Sequence, residues 1–278
     1  MGSTTLRFAR LSLYFAWTVV LMPAQLIGLA LCCRWTRTLP VFYHARCCRI
    51  LGFRIRVVGT PTSWRPVLFA ANHVSYADIT VLGSVIAGSF IAKAEVADWP
   101  FFGWLAKLQR SVFVDRRVRS TITQRDAISR RLAVGDALIL FPEGTSSDGN
   151  RVLPFKTALF AAAEHEKGLS PVVVQPVSIA YTRLDGIPIG RLYRPLFAWY
   201  GDVDLAPHIW SMIGLGTVEV VVEFHPPTFL SDCGSRKALA SYCYARIAGG
   251  LAGALFGRPQ PMPEPPSHVL PGGLPAVA

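Results

Sequence analysis

The stretch that decides the fold is residues 67–78, which read VLFAANHVSYAD. Its first five residues are apolar, as is typical of a buried strand, and the apolar run that starts at Ile79 predicts a helix directly afterwards. A strand followed by a helix is the repeating unit of an α/β fold. His73 and Asp78 lie in the connection between the two, where such folds place their functional sites.

The same alternation continues along the chain. Apolar runs rich in Val and Ile predict strands over 53–58, 67–71, 112–114, 137–141, 172–180 and 217–224. Helical spacing predicts helices over 79–90, 121–133, 156–166 and 236–251. We therefore expect an α/β fold with a mixed, largely parallel sheet covered by helices.

The composition indicates a membrane surface as a partner. Lys and Arg number 28 against 17 Asp and Glu, a net charge of +11, while 51% of the residues are hydrophobic and the mean hydropathy is +0.37. The sequence has no zinc-finger spacing, aromatic RNA-binding motif or helix-turn-helix signature, so we expect no nucleic-acid partner. The six cysteines have no metal-site spacing, and we expect them to be reduced.

The N-terminal region predicts a membrane anchor. Residues 11–33 carry no charge, and about 20 apolar residues suffice to cross a bilayer. Pro23 and Gln25 near the middle leave open a second arrangement, in which a hairpin or short helices lie in one leaflet. We expect residues 1–40 to form a helical anchor, 41–256 a single catalytic domain, and 257–278 a disordered tail rich in Pro and Gly.

The spacing of His73 and Asp78 supports two interpretations. Residues five apart on an ideal helix lie about 140° around its axis, so His73 must precede the helix. In one interpretation Ser75 is the N-cap and Asp78 only completes a capping box. In the other, Asp78 accepts the Nδ1–H of His73, which leaves Nε2 free to act as a general base.

A second motif follows about sixty residues later. Residues 141–145, FPEGT, end a predicted strand and turn through Gly144, where backbone N–H groups can face a polar headgroup. The chain contains no G-x-S-x-G elbow, which argues against a serine-hydrolase mechanism.

In combination these motifs resemble the 1-acylglycerol-3-phosphate O-acyltransferase family. The similar blocks are NHVSYAD at 72–78, VFVDR at 112–116, FPEGT at 141–145 followed by PFK at 154–156, and VQPV at 174–177. The resemblance covers about 57–227. It implies an O-acyltransferase on an α/β fold whose N-terminal helices seat it on a membrane, and which uses an acyl thioester as donor and no cofactor or metal.

The resemblance also implies roles for individual residues. His73 is the expected general base and Asp78 its orienting partner. The substrate-binding candidates are Arg116, Glu143, Gly144, Thr145, Arg151, Lys156 and Pro176. Lys156 stands at an apparent helix start, so its position fits a structural role as well as a substrate-binding role.

One departure from the family pattern concerns the acceptor. Many members carry arginine directly after the threonine of the third block, and here the residue is Ser146. Serine cannot supply the two charged hydrogen bonds that arginine makes to a phosphate. Residues 146–156, 174–180 and 199–202 are similar to the bacterial lyso-ornithine lipid acyltransferase branch.

We therefore expect lyso-ornithine lipid as the acceptor, giving ornithine lipid. The first alternative is lysophosphatidate, giving phosphatidate, and a more distant one is a non-catalytic lipid-binding protein. The expected partners are membrane lipids, the lysolipid acceptor, and acyl carrier protein or coenzyme A as the thioester. The expected location is the bacterial inner membrane with the site facing the cytoplasm.

Overall fold

The computed structural model describes residues 2–114, 121–164 and 170–257, with backbone only for 121–126. The helices are α1 Thr4–Ala30, α2 Leu39–Leu51, α3 Ala77–Gly83, α4 Phe102–Leu108, α5 Thr121–Ala133, α6 Leu205–Met212, α7 Leu230–Cys233 and α8 Arg236–Phe256. The strands are β1 Phe53–Val58, β2 Val67–Ala71, β3 Ser89–Lys93, β4 Val112–Val114, β5 Ala137–Leu140, β6 Val173–Leu184, β7 Ile187–Pro188, β8 Val218–Phe224 and β9 Thr228–Phe229.

The strands form one sheet in the order β1-β8-β6-β2-β5-β3-β4. From β6 to β4 all neighbours are parallel, whereas β8 runs antiparallel to β6 and carries β1 parallel to itself. The short strands β7 and β9 pair antiparallel with β6. The predicted mixed, largely parallel sheet is confirmed.

The parallel strands give the sheet two distinct ends. We call the end where β2, β5 and β3 finish the carboxyl edge, and the end where they begin the amino edge. The loops at the carboxyl edge contain both sequence motifs, because one follows β2 and the other follows β5. This is the location that an open α/β sheet provides for a binding site.

Alternate residues of the central strand pack on opposite faces of the sheet. Val67, Phe69 and Ala71 belong to a core that includes α2 and α3. Leu68 and Ala70 belong to a second core with α8. Because both faces are covered, the strand reads as an uninterrupted apolar run.

One helix prediction was partly wrong. The helix expected over 79–90 ends as α3 at Gly83, and residues 89–93 form β3 between β5 and β4. A short strand buried on both faces has the same apolar appearance as a buried helix, so periodicity cannot separate them. The helix expected over 156–166 is a 3-10 helix at Thr157–Ala163, and its last two residues lie outside the described residues.

The first half of α1 is hydrogen-bonded to the domain through a buried arginine. Arg10 is 7% exposed, and its guanidinium donates to the carbonyl oxygens of Ile213 at 2.9 Å, Leu215 at 2.6 Å and Gly216 at 3.0 Å. These carbonyls precede β8 at the carboxyl edge. The N-terminal part of α1 is therefore docked on the domain.

The second half of α1 is docked in the same way. Gln25 is buried, and its Nε2 donates to the carbonyl oxygens of Thr36 at 3.1 Å and Leu108 at 2.9 Å. The outward stripe of α1 is apolar and includes Phe8, Leu13, Phe15, Val19, Val20, Leu26 and Ile27. Within the described residues, α1 is the helix long and apolar enough to cross a membrane. Its polar side faces the protein and its apolar side faces outward.

Candidate active site

His73 is held by the residue before it. Asn72 is fully buried just after β2, and its side chain exchanges two hydrogen bonds with the backbone of Ile179 in β6, at 3.0 and 2.8 Å. The imidazole of His73 stacks on Phe141 with ring centroids 4.1 Å apart. The side chain remains 20% exposed. The ring is thus fixed in orientation and still reachable from outside.

His73 and Asp78 make direct contact. Nδ1 of His73 lies 2.9 Å from Oδ2 of Asp78, whose side chain is fully buried. The same oxygen accepts the N–H groups of Val74 at 2.6 Å and Ser75 at 2.9 Å, and Oδ1 accepts the Tyr181 hydroxyl at 2.8 Å. An ionised carboxylate offers only acceptors, so this arrangement places the proton of the imidazole on Nδ1. The lone pair of Nε2 is then free.

The structure also shows which part of the predicted capping box forms at the start of α3. The residue before α3 is Tyr76, and the buried hydroxyl of Ser75 has no partner among the described residues, so the predicted side-chain cap at Ser75 is wrong. Asp78 nevertheless accepts the Ser75 N–H, as the second half of a capping box does. It supports the helix end and orients His73 with the same oxygen.

Glu143 holds the loop of His73 from the other side. It is 2% exposed, its Oε1 accepts the backbone N–H of His73 at 2.7 Å, and its Oε2 accepts the N–H of Leu153 at 2.7 Å. The pKa of Glu143 is raised to about 8, chiefly by burial and to a smaller extent by the charge of Asp78, while the two N–H donors act in the opposite direction. Glu143 joins the two motif loops through their backbones.

The turn after Glu143 is closed by a lysine. Gly144 has a φ of +70°, and a Cβ there would lie 2.9 Å from Nζ of Lys156. The N–H of Lys156 donates to the carbonyl oxygen of Pro142 at 2.9 Å. Thr145 is exposed beside them. Glycine at 144 thus permits both the left-handed turn and the close approach of a cationic side chain.

Ser146 connects the second motif to a third loop. Its hydroxyl donates to the carbonyl oxygen of Trp199, and the N–H of Trp199 donates to the carbonyl oxygen of Val74 at 2.9 Å. Tyr76 packs edge-on against Trp199 and its hydroxyl lies 2.9 Å from Nδ1 of His208. The residue at which the family pattern departs therefore lies against the loop that borders His73.

The other predicted site residues are placed apart from His73 or are not described. Arg151 is exposed on the loop between Ser146 and Lys156. Pro176 is buried inside the sheet, opposite Ala70, and its carbonyl oxygen accepts the N–H of His225. Arg116 lies outside the described residues. The substrate-binding roles of these residues stay predictions.

Sequence reasoning missed two contributors to the site. Tyr181 is 103 residues from the aspartate to which it donates, and His208 is 132 residues from Tyr76. Neither pairing has a local spacing signal. In the part of the chain that the structure describes, no group of three or more His, Cys, Asp or Glu could hold a metal ion.

Comparison with known proteins identifies the family of this chain. Residues 54–180 match the family described as Acyltransferase. A lyso-ornithine lipid O-acyltransferase of Brucella abortus is 49% identical over 250 residues, covering 88% of this chain and 94% of that protein. The chain belongs to this acyltransferase family and is an O-acyltransferase, so the predicted resemblance and enzyme class are confirmed.

Two further similarities concern the branch and the fold. A lyso-ornithine lipid O-acyltransferase of Rhizobium meliloti is 45% identical, covering 87% of this chain and 84% of that protein. A crystal structure of the 1-acyl-sn-glycerophosphate (LPA) acyltransferase PlsC from Thermotoga maritima aligns with a TM-score of 0.60 at 25% identity. The alignment covers 87% of this chain and 93% of that chain, which confirms the fold class.

Proposed function

We propose that this enzyme is a lysolipid O-acyltransferase that acylates lyso-ornithine lipid to ornithine lipid, with an acyl thioester as donor. The observation that carries the reaction type is the His73–Asp78 pair, in which Nδ1 of His73 lies 2.9 Å from Oδ2 of Asp78 and Nε2 makes no hydrogen bond among the described residues. The relatives that are 49% and 45% identical are named for this acceptor, which supports the choice over lysophosphatidate.

In the proposed mechanism, Nε2 of His73 takes the proton of the acceptor hydroxyl as its oxygen attacks the thioester carbonyl. Asp78 stabilises the resulting imidazolium through Nδ1. The tetrahedral intermediate then expels the thiolate, which recovers the proton from His73, and the free thiol leaves. The reaction needs no cofactor, and a well-placed general base accelerates such a step by about 10²- to 10⁴-fold.

The acceptor headgroup is proposed to contact the turn that follows Glu143. Gly144, Thr145 and Lys156 lie together there, one loop away from His73. Arg151 is exposed on the same loop and adds a second cation. We propose that these groups bind the polar end of the lysolipid, with Arg116 and Pro176 completing the site as the resemblance implies.

The experiment uses purified full-length enzyme, labelled acyl-ACP or acyl-CoA, and either lyso-ornithine lipid or lysophosphatidate. We expect label to enter ornithine lipid, and His73→Ala to reduce the rate at least a hundredfold without a change in the melting temperature. If label enters phosphatidate alone, the acceptor is lysophosphatidate and the proposed acceptor is wrong. Unchanged transfer by His73→Ala removes the general-base assignment, and transfer to neither acceptor supports a lipid-binding protein.

We infer that α1 lies in one leaflet and does not cross the bilayer. Its hydrogen bonds to the domain at Arg10 and Gln25 are 15 residues apart, which corresponds to about 22 Å of helix. A spanning helix needs about 20 residues away from the domain, and α1 has no such free stretch. The outward apolar stripe supports burial in the interfacial part of a membrane.

The inference is tested by labelling the two ends of α1. Single-cysteine variants with Thr5→Cys or with Cys32 alone are treated with a membrane-impermeant maleimide in sealed inner-membrane vesicles. A helix in one leaflet exposes both cysteines on the same side, and labelling from opposite sides contradicts it. We propose the cytoplasmic side of the bacterial inner membrane, because acyl carrier protein and coenzyme A thioesters are cytoplasmic.

A further inference from the structure

The amino edge of the sheet, opposite the active site, carries an unbalanced cluster of charges. Asp136, just before β5, is buried, with its side chain 5% exposed. Three arginines surround it, with nitrogen to oxygen distances of 3.6 Å for Arg37, 3.1 Å for Arg110 and 2.5 Å for Arg131. Among the described residues, no second carboxylate pairs with these arginines. Within the described residues, the cluster therefore has three positive charges against one negative charge.

The three arginines are not equally satisfied. Arg131 also donates to the Ser89 hydroxyl at 2.9 Å and to the carbonyl oxygen of Arg110 at 2.8 Å, so it ties the loops together. Among the described residues, the Arg110 side chain makes one hydrogen bond, to Asp136, and Arg37 approaches Asp136 only at 3.6 Å with 56% of its side chain exposed. Each guanidinium has five N–H donors, so Arg37 and Arg110 retain unused ones.

The charges around Arg110 favour the binding of an anion. Burial lowers the pKa of Arg110, and the charges of Arg131 and Arg37 lower it further, while Asp136 raises it. Like charges held this close repel each other, and an added anion would remove the repulsion.

A groove with a mostly apolar lining begins at Thr38, the residue after Arg37, and Thr62, Ser63 and Arg65 also line it. Its volume is about 580 Å³, within the range of roughly 300–1,000 Å³ found for small-molecule sites. Thr38, which follows Arg37, lines it on the side of α2, together with Val41 and Phe42. Val85 and Ile86 line the opposite side, shortly before the Ser89 that binds Arg131.

The same end of the molecule continues the apolar stripe of α1. Leu31 is 70% exposed, Trp35 is 42% exposed and Phe42 is 57% exposed. Trp35 is in the 3-10 helix Arg34–Arg37, and Phe42 is in α2. The exposed apolar surface therefore extends to the residues beside Arg37, where headgroups would meet it if α1 lies in one leaflet as proposed above.

We propose that the amino edge binds an anionic phospholipid, with its phosphate on Arg37 and Arg110 and an acyl chain in the adjoining groove. Arginine makes paired, charge-assisted hydrogen bonds to phosphate oxygens, and the groove excludes water from a hydrocarbon chain. This site is separate from the acceptor site at the carboxyl edge. It would hold the enzyme on membrane regions rich in anionic lipid.

The first experiment measures binding of full-length enzyme to phosphatidylcholine vesicles with and without phosphatidylglycerol. We expect Arg37→Gln to weaken the phosphatidylglycerol-dependent binding about five- to tenfold and to leave binding to phosphatidylcholine unchanged. Arg34→Gln is the matched control, because Arg34 is exposed on the same 3-10 helix and is not among the described residues that pair with Asp136. Equal losses in the two variants overturn the proposal, since they indicate general charge attraction.

The second experiment separates a bound lipid from a free anion. Native mass spectrometry of enzyme purified from membranes in mild detergent should detect bound phosphatidylglycerol in the native chain. The lipid should be lost in Arg37→Gln and in Ala45→Trp, which fills the groove, while both variants melt normally. Retention in folded Ala45→Trp, or displacement of the lipid by low concentrations of inorganic phosphate at constant ionic strength, overturns the proposal. If Ala45→Trp does not fold, Val85→Phe takes its place.

Discussion

Two buried carboxylates, Asp78 and Glu143, approach His73 from opposite sides and affect it differently. Both side chains are shielded from solvent, and both accept backbone N–H groups. Asp78 is bonded to the imidazole, where the proton moves, whereas Glu143 is bonded to the backbone of His73. Burial and charge alone do not make a carboxylate part of the chemistry; the atom to which it is bonded decides its role.

The largest effect is expected for Asp78→Asn. The amide replaces one acceptor with a donor, so Nδ1 of His73 loses its fixed acceptor and the proton can move to Nε2. We expect kcat to fall by about 10²- to 10⁴-fold with a small change in KM, measured as initial rates of acyl transfer. Asp148→Asn is the control, because among the described residues the Asp148 side chain accepts hydrogen bonds from Asn150 and makes no contact with His73. If Asp78→Asn kept more than a tenth of the native rate, catalysis would not depend on the contact between the Asp78 carboxylate and His73.

A smaller effect is expected for Glu143→Gln. Glutamine keeps one acceptor but turns an N–H₂ group toward the second backbone donor, at a cost of about 1–3 kcal/mol in the free energy of unfolding. The displaced loop should lower kcat about tenfold to a hundredfold.

The discriminating measurement is the pH–rate profile of the two variants. Glu143→Gln should keep the shape of the native profile at lower amplitude, whereas Asp78→Asn should change its shape because the proton of the base is no longer fixed. A pH–rate profile of changed shape in Glu143→Gln would contradict this distinction between the two carboxylates and would mean that Glu143 takes part in the chemistry.

Stability offers a third test. Because burial raises the folded-state pKa of Glu143 from 4.5 to about 8, the folded protein binds a proton that the unfolded chain has lost between these values. Stability contributed by this proton falls as the pH rises from about 4.5 to about 8, at about 1.4 kcal/mol per pH unit at most. Glu143→Gln should therefore lose less stability than the native chain between pH 5 and pH 8 in thermal unfolding.

Two buried histidines also make the stability depend on pH, so the native chain must be compared with Glu143→Gln. Burial lowers the pKa of His44 and His225 to about 4, so their contribution is lost as the pH falls below about 6.5, opposite in sign to that of Glu143. The difference between native and Glu143→Gln unfolding curves removes this background. Parallel curves would mean that Glu143 keeps its charge in the folded state.

The central strands were predictable from sequence because burial on both faces leaves continuous apolar runs. The strand β3 was not, because no charged residue separates its residues from the apolar run of α3. The orientation of α1 was also hidden. Its length and composition predicted an anchor, but only the fold reveals that Arg10 and Gln25 face the domain and that the apolar residues face outward.

At the site, the sequence identified the pair but not its surroundings. His73 and Asp78 are five residues apart, so a loop before a helix could bring them together. The backbone bonds of Glu143 depend on the order of β2 and β5 in the sheet, which no local spacing specifies. Tyr181 reaches Asp78 only because β6 lies next to β2.

The smallest effect is expected for Tyr181→Phe, which removes one of the four donors to Asp78 and leaves the imidazole contact intact. A single lost hydrogen bond of about 1 kcal/mol predicts a kcat about fivefold lower at unchanged KM. Tyr242→Phe is the control, because its hydroxyl is buried on α8 without a partner among the described residues. A loss as large as that of Asp78→Asn would show that Asp78 depends on Oδ1 as much as on Oδ2. No loss would show that three donors suffice, and that the contact with His73 alone separates Asp78 from Glu143.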